Sequence, residues 1–212
     1  MMKIIIIGGG NVGGYVINNI KQFTDKFEII GILDDDISKI GHTLWGIKVI
    51  GEIDRIHEIS SIHDNIGVVI SIANPQIKKR VIERLSIIKN LNYPNLIHKN
   101  CWISNNVEMG YGNIIYPNVS INYETIIHNF VTINMNASLG HNCELNDYDT
   151  ISPGVNLAGF TKVGYSTFFG IGCSVIQGHS IGRNVLIGAG AVIINDVPDG
   201  ATVVGNPGRI IK

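Results

Sequence analysis

A histidine in segment 138–146, with the sequence SLGHNCELN, is the residue of this chain best suited to chemistry. His141 lies among small and polar residues, within a run whose apolar residues are otherwise regularly spaced. An imidazole titrates near neutral pH, so it can take a proton from an attacking nucleophile. Cys143, two residues further on, raises the alternative of a covalent intermediate. The spacing of the surrounding residues indicates which of these side chains points inward.

A six-residue period runs through the second half of the chain. Every sixth residue from position 97 to position 193 is apolar, and the residue four positions after each is usually small or β-branched. This period fits neither a helix nor one long strand. It predicts a solenoid of short strands joined by tight corners. A sandwich with regular turns is the alternative, but it would not keep this spacing unbroken.

His141 follows the inward position Leu139 by two residues, so we expect its side chain to point away from the core. Cys143 occupies one of the small inward positions, which favours packing over nucleophilic attack. The other histidines have no comparable setting, and none shares a metal-ligand spacing with a second histidine and a carboxylate. We therefore expect His141 to be the reactive group, and we expect no metal site.

The first half of the chain alternates strand and helix patterns. Residues 3–7, 27–33 and 67–73 are predicted strands, and residues 12–23 and 76–89 are predicted helices with one apolar face. Such alternation indicates a small parallel sheet. The opening run of isoleucines is short and is followed at once by glycines, so it predicts a first strand and not an export signal.

A glycine-rich turn with the pattern G-x-G-x-x-G lies between the first strand and the first helix, and acidic residues end the second strand. The amino end of a helix favours phosphate, and an acid at this distance can hold a ribose hydroxyl. A tight turn without a ligand and an NAD site are the alternatives that the residues themselves offer. NAD fits the spacing, but the rest of the chain has no hydride-transfer domain. The candidate contacts are Gly8, Gly10, Asn11, Val12, Gly13, Asp35, Asp36 and, after the third strand, Asn74.

Composition excludes several classes of function. The chain has 212 residues, 45% of them hydrophobic and 16% charged, with a net charge of −1. This leaves no basic patch for nucleic acid or for a membrane surface. No apolar run approaches the ~18 residues of a membrane span. Three cysteines without C-x-x-C spacing predict neither a disulfide framework nor zinc, and favour the cytoplasm.

The six-residue repeat resembles the left-handed parallel β-helix of the hexapeptide-repeat acyltransferases. Further segments are similar to one subfamily, the sugar O- and N-acetyltransferases: IIIIGGGNVGG, ILDDD, SIANPQIKKRV, GHNCELNDYDTISPGVNLAG and IGAGAVIINDVPDGATVVGNP. That subfamily includes sialic-acid O-acetyltransferases and enzymes that acetylate nucleotide-linked 4-amino-4,6-dideoxy sugars. The resemblance implies a Rossmann-like α/β parallel sheet that binds a nucleotide sugar, over residues 1–94, followed by a left-handed β-helix of hexapeptide repeats, over residues 95–212.

The resemblance also implies that His141 is the catalytic base. Three faces make one coil of the family's β-helix, so residues eighteen positions apart stack, which places Tyr123 and Gly159 on either side of His141. Because Gly159 has no side chain, we expect open space beside the imidazole. In many relatives an acid follows the histidine, whereas here Asn142 does. The coil arithmetic stacks Glu124 on Asn142, and Glu124 is therefore a candidate for the missing carboxylate.

Acetyl-CoA is the implied co-substrate, in a groove between neighbouring β-helices of a homotrimer. A histidine often stands in related nucleotide-sugar enzymes where this chain has Val12. The predicted activity is acetyl transfer to a nucleotide-linked amino sugar in surface-glycan synthesis. The alternatives are O-acetylation of sialic acid or another sugar, and a non-catalytic scaffold trimer that binds a sugar nucleotide. The residues that match the family's groove are Ala158, Gly159, Gly170, Gly188, Ala189, Gly205, Asn206 and Pro207.

Overall fold

The computed structural model describes residues 1–63 and 65–212. Contacts between Cα atoms divide these residues into two compact units. The first comprises residues 1–73 and 77–96, and the second comprises residues 74–76 and 97–212. None of the described helices is both long and apolar enough to cross a membrane.

The first unit is a six-stranded sheet with helices, in the order β3-β4-β2-β1-β5-β6. All neighbouring strands are parallel except the antiparallel pair β3 and β4. Short 3₁₀ turns cover Ile37–Lys39 and Ile53–Arg55. The strands are β1 (Met2–Ile7), β2 (Phe27–Leu33), β3 (Thr43–Leu44), β4 (Ile47–Gly51), β5 (Ile66–Ile70) and β6 (Leu91–Asn92), and the helices are α1 (Asn11–Phe23), α2 (Ile56–Ile62) and α3 (Pro75–Leu85).

The predicted alternation of strands and helices is confirmed, with several differences. Strand β5 ends at Ile70 and not at residue 73, because the chain leaves the sheet after Ser71 bonds to the carbonyl of Ile7. Helix α3 ends at Leu85 and not at residue 89, where shorter-range bonds such as Ile88 N–H to Leu85 C=O replace the helical pattern. The β3–β4 hairpin and the seven-residue helix α2 were not predicted.

The second unit is a left-handed parallel β-helix. Its strands form three stacked parallel sheets, and Leu139 pairs with Leu157 one coil later. Strand β24 (Thr202–Val204) joins one sheet in parallel and β25 (Arg209–Ile210) closes it antiparallel. The two-residue strands are β7 (Leu96–Ile97), β8 (Trp102–Ile103), β9 (Glu108–Met109), β10 (Ile114–Ile115), β11 (Ser120–Ile121), β12 (Ile126–Ile127), β13 (Thr132–Ile133), β14 (Ser138–Leu139), β15 (Glu144–Leu145), β16 (Thr150–Ile151), β17 (Asn156–Leu157), β18 (Lys162–Val163), β19 (Phe168–Phe169), β20 (Ser174–Val175), β21 (Ser180–Ile181), β22 (Leu186–Ile187) and β23 (Val192–Ile193).

The predicted inward positions are the second residues of these strands. From Ile115 to Ile193 each is buried and contributes to one continuous core, while Ile97, Ile103 and Met109 pack against that core half-buried. Burial of this continuous apolar column is the main stabilisation of a solenoid whose single coils bury too little alone.

From Gly112 to Gly190, each corner of the β-helix uses the left-handed backbone region. At the corner that carries His141, the residues Glu124, Asn142 and Phe160 have φ of 53°, 56° and 61°. This region disfavours most side chains, although asparagine tolerates it better than others. Backbone hydrogen bonds lock successive corners together, from Asn142 N–H to Tyr123 C=O and from Phe160 N–H to His141 C=O. Corner residues therefore stand in columns along the axis of the β-helix.

Candidate active site

His141 lies at the corner between strands β14 and β15, outside the core. Its imidazole stacks on the ring of Tyr123, with centroids 5.2 Å apart and the planes 8° from parallel. A carbon added to Gly159 would lie 2.8 Å from Nε2 of His141, so the imidazole rests directly against this glycine. Both neighbours are those that the eighteen-residue coil predicts.

The expected open space beside the imidazole is partly filled. Phe160 approaches His141 edge-on, with ring centroids 4.9 Å apart and planes at 89°. Coil arithmetic identifies residues of the same column, but Phe160 belongs to the next column and reaches His141 sideways. The imidazole is thus held between Tyr123, Phe160 and the backbone of Gly159. These contacts fix the plane of the imidazole ring.

A chain of hydrogen bonds leads from His141 to a carboxylate. Nδ1 of His141 lies 2.9 Å from Oδ1 of Asn142, and Nδ2 of Asn142 donates to Oε2 of Glu124 at 2.6 Å. An amide oxygen can only accept, so Nδ1 must carry the hydrogen in this arrangement. Nε2 then has a free lone pair. The ring is arranged to accept a proton at Nε2.

The other nearby reactive groups are engaged elsewhere. Cys143 is 1% exposed, and burial raises the pKa of its thiol, which disfavours the reactive thiolate. Glu144 lies 3.3 Å from Nε2 of His128. Asp149 is fully buried and accepts the backbone N–H of Thr167 at 2.8 Å. These contacts leave His141 as the candidate base of this corner.

The residues predicted to line a CoA groove lie on two different corners. Ala158 and Gly159 stack beside His141, whereas Gly170 and Gly188 stack at the corner that follows strands β19 and β22. A carbon on Gly170 would lie 2.5 Å from the backbone nitrogen of Ala189, so this glycine is required for close stacking of the coils. Gly159 and Gly170 are buried, while Ala189 and the loop 205–207 are exposed.

The first unit contains a cavity of about 480 Å³ at the carboxyl end of β1 and the amino end of α1. The predicted contacts Gly13, Asp36 and Asn74 are not among its lining residues. A carbon on Gly13 would collide with Gly8 C=O, so Gly13 packs the turn. Asp36 instead accepts the backbone N–H of Ser38 and caps a 3₁₀ turn. The predicted contacts that do line the cavity are Gly8, Gly10, Asn11, Val12 and Asp35.

Two charged residues that were not predicted as contacts, Asp34 and Lys39, also line the cavity. Asp34 accepts the N–H of Gly9 at 2.6 Å and that of Asp36 at 2.9 Å, and the ammonium of Lys39 at 3.0 Å. Although burial acts to raise it, these bonds hold the pKa of Asp34 below its usual value. The hydrogen bond to Asp34 raises the pKa of Lys39. Asp34 therefore stabilises the glycine turn and holds the ammonium of Lys39 at the cavity.

Asp35 lines the cavity but is bound on both oxygens. Its Oδ1 accepts the N–H of Ile53 at 3.0 Å, and its Oδ2 accepts from the guanidinium of Arg84 at 2.7 Å. Among the described residues, no group of three or more histidines, cysteines and acids is placed to hold a metal.

Comparison with known proteins agrees with both units. Residues 3–85 match the family model of the PglD N-terminal domain. GDP-perosamine N-acetyltransferase of Escherichia coli O157:H7 is 33% identical to this chain over 149 residues. The match covers 68% of this chain and 66% of that protein, so the chain spans just under two thirds of that relative's length. The acetyltransferase domain of PglB from Neisseria gonorrhoeae, in complex with acetyl coenzyme A, has a TM-score of 0.87 at 28% identity and matches 99% of this chain and 98% of its own.

PerB from Caulobacter crescentus, solved with CoA and GDP-perosamine, has a TM-score of 0.90 at 26% identity and covers 100% of this chain and 98% of its own. An α/β domain joined to a β-helix with a histidine at its corner defines a hexapeptide-repeat acyltransferase. Within that class the chain is similar to the hexapeptide-repeat sugar acetyltransferases, and its residues 3–85 match the PglD-type N-terminal domain.

The contact between Gly159 and His141 gives a direct structural test. Gly159→Ala should push the imidazole off Tyr123, because the new carbon would lie 2.8 Å from Nε2. The backbone of Gly159 is not in the left-handed region, so the β-helix should keep its stability. A crystal structure of the variant and its thermal midpoint check both points. An imidazole that stays in place would show that the ring is not held against this glycine.

Proposed function

We propose that this protein transfers the acetyl group of acetyl-CoA to the amino group of a nucleotide-linked sugar, most specifically a 4-amino-4,6-dideoxy sugar used in surface-glycan synthesis. The observation that carries the proposal is the arrangement of His141, whose Nδ1 is bonded to Asn142 while Nε2 is left to accept a proton. Relatives solved with acetyl-CoA, or with CoA and GDP-perosamine, support the same pair of substrates.

The proposed reaction needs one base and no covalent acyl-enzyme. The sugar amine attacks the thioester carbonyl, and Nε2 of His141 takes the proton that the amine loses. A backbone N–H stabilises the developing oxyanion. The tetrahedral adduct then expels the CoA thiolate, which takes the proton back from the imidazolium.

The cavity of the first unit is the proposed nucleotide site. Its volume lies in the range of small-molecule sites, and Gly10 at the start of α1 supplies no side-chain cap to the helix. The free N–H groups of that first turn and the ammonium of Lys39 would both attract a diphosphate. Val12 lines the same cavity and supplies apolar contact where relatives often have histidine.

A homotrimer is proposed because the CoA candidates lie on two corners of one protomer. Ala158 stands beside His141, whereas Ala189 and the loop 205–207 are exposed at another corner. One extended CoA molecule would join these surfaces if they came from neighbouring protomers of a closed ring. We further propose that the protein works in the cytoplasm, which accords with its three free cysteines.

His141→Ala should lower kcat for acetyl transfer by ~10²–10⁴-fold, the usual loss when a general base is removed. The assay is release of free CoA thiol from acetyl-CoA with a panel of nucleotide-linked amino sugars and hydroxyl sugars. His128→Ala is the matched control, because His128 pairs with Glu144 on another part of the coil. Full activity of His141→Ala would refute the mechanism. Binding of the sugar nucleotide by a parent protein without thiol release would favour the scaffold alternative.

Lys39→Met should raise KM for the nucleotide sugar by about tenfold or more, the value of one charged hydrogen bond, and leave KM for acetyl-CoA unchanged. The glycine turn should persist, because Asp34 keeps the N–H groups of Gly9 and Asp36. Lys48→Met, an exposed position of β4 outside the cavity, is the control. Equal rises in both KM values would argue against a nucleotide site here.

Multi-angle light scattering tests the assembly. The expected mass is about three times the 23.1 kDa of one chain, with no change on dilution across the range used for activity. A monomer with full activity would contradict both the trimer and a CoA site shared between protomers.

A further inference from the structure

The direction of one side-chain amide decides which nitrogen of His141 can act as a base. Asn142 presents an oxygen to Nδ1 of His141 at 2.9 Å, and its nitrogen faces Glu124. An amide turned around by 180° fills the same space, but would present its N–H₂ group to Nδ1. Nδ1 would then have to be the unprotonated nitrogen, and the hydrogen would move to Nε2. In that form His141 could not take a proton from the substrate.

Glu124 is the group that favours the productive direction. Its carboxylate has only acceptors, so it accepts the Nδ2 hydrogen of Asn142 at 2.6 Å and would repel the amide oxygen. We propose that Glu124 is a positioning residue which fixes the amide of Asn142, and through it the Nε2-basic tautomer of His141. The inference rests on the proposed function, in which His141 is the base.

The backbone at position 124 supports a specific role for the carboxylate. Glu124 has φ of 53°, a conformation that glutamate rarely adopts, and its side chain is exposed, so burial does not offset this strain. The same corner position is held by Asn142, Phe160 and Gly178 in the following coils. The corner therefore accepts chemically different residues. A glutamate at this position is explained by its contact with Asn142.

Glu124→Gln removes the preference for one direction of the Asn142 amide, while the side chain keeps its size and the backbone keeps its conformation. A glutamine can offer either oxygen or N–H₂ to Asn142, so both directions of the Asn142 amide become available. We expect ¹⁵N NMR of His141, at a pH where the ring is neutral, to change from the tautomer with hydrogen on Nδ1 to a mixture. The signal is assigned by its absence in His141→Ala. We also expect kcat to fall with the fraction of the Nε2-basic tautomer, by about twofold for an equal mixture, with both KM values unchanged.

Glu144→Gln is the matched control, because this carboxylate contacts His128 and not the Asn142 amide. It should leave the tautomer and kcat as in the parent. The double variant that combines Glu124→Gln with Asn142→Asp should restore both. The introduced aspartate would accept from Nδ1 of His141, and the introduced glutamine would donate to that aspartate. Aspartate also tolerates the left-handed corner as asparagine does.

The outcomes separate this inference from the proposed function. A parent that transfers acetyl groups, together with a Glu124→Gln variant of unchanged tautomer and unchanged kcat, would overturn the role of Glu124 alone. Loss of kcat with an unchanged tautomer, or failure of the double variant to recover, would also overturn it. A parent without acetyl transfer would refute the proposed function, while the NMR comparison would still test whether Glu124 sets the tautomer.

Discussion

The stacking of each residue on the one eighteen positions earlier is the constraint on which the second unit depends. It buries one apolar side chain at each strand from β10 to β23 and brings each corner onto the corner before it. At one corner the columns place Tyr123, His141 and Gly159 in contact, and place Glu124 against Asn142. The environment of the histidine is thus a product of the same register that builds the core. A register shift of one residue would disrupt both the apolar core and the contacts of His141.

The first unit depends on a separate constraint, which is to fix the glycine turn at the end of strand β1. Asp34 does this with its carboxylate, by binding the N–H of Gly9 and the ammonium of Lys39. The amino end of α1 stays available to bind a ligand, because Gly10 supplies no side-chain cap. The aspartates that the sequence points to first, Asp35 and Asp36, are occupied with Arg84 and Ser38.

Much of the second unit was predictable from the sequence. Its six-residue period determines which residues point inward and which residues stack on one another. The strands, the burial of Cys143, and the contacts of His141 with Tyr123 and Gly159 all follow from counting along the chain. The contact between Phe160 and His141 was not predicted. Counting along the chain identifies the residues of one column, but it does not show when a side chain reaches from one column to the next.

The first unit has no such period. The β3–β4 hairpin turns at Trp45 and Gly46, both with positive φ, and tryptophan is an unusual residue for that turn. Lys39 reaches the cavity only through the 3₁₀ turn that follows Asp36, which local spacing does not predict.

The most direct test of the whole account is a crystal structure of this protein with CoA and a nucleotide-linked amino sugar. The account predicts the sugar amine within hydrogen-bonding distance of Nε2 of His141, about 2.7–3.2 Å, with Nδ1 still bonded to Asn142. An amine well beyond hydrogen-bonding reach of Nε2, with the CoA sulfur positioned near another side chain, would contradict the account.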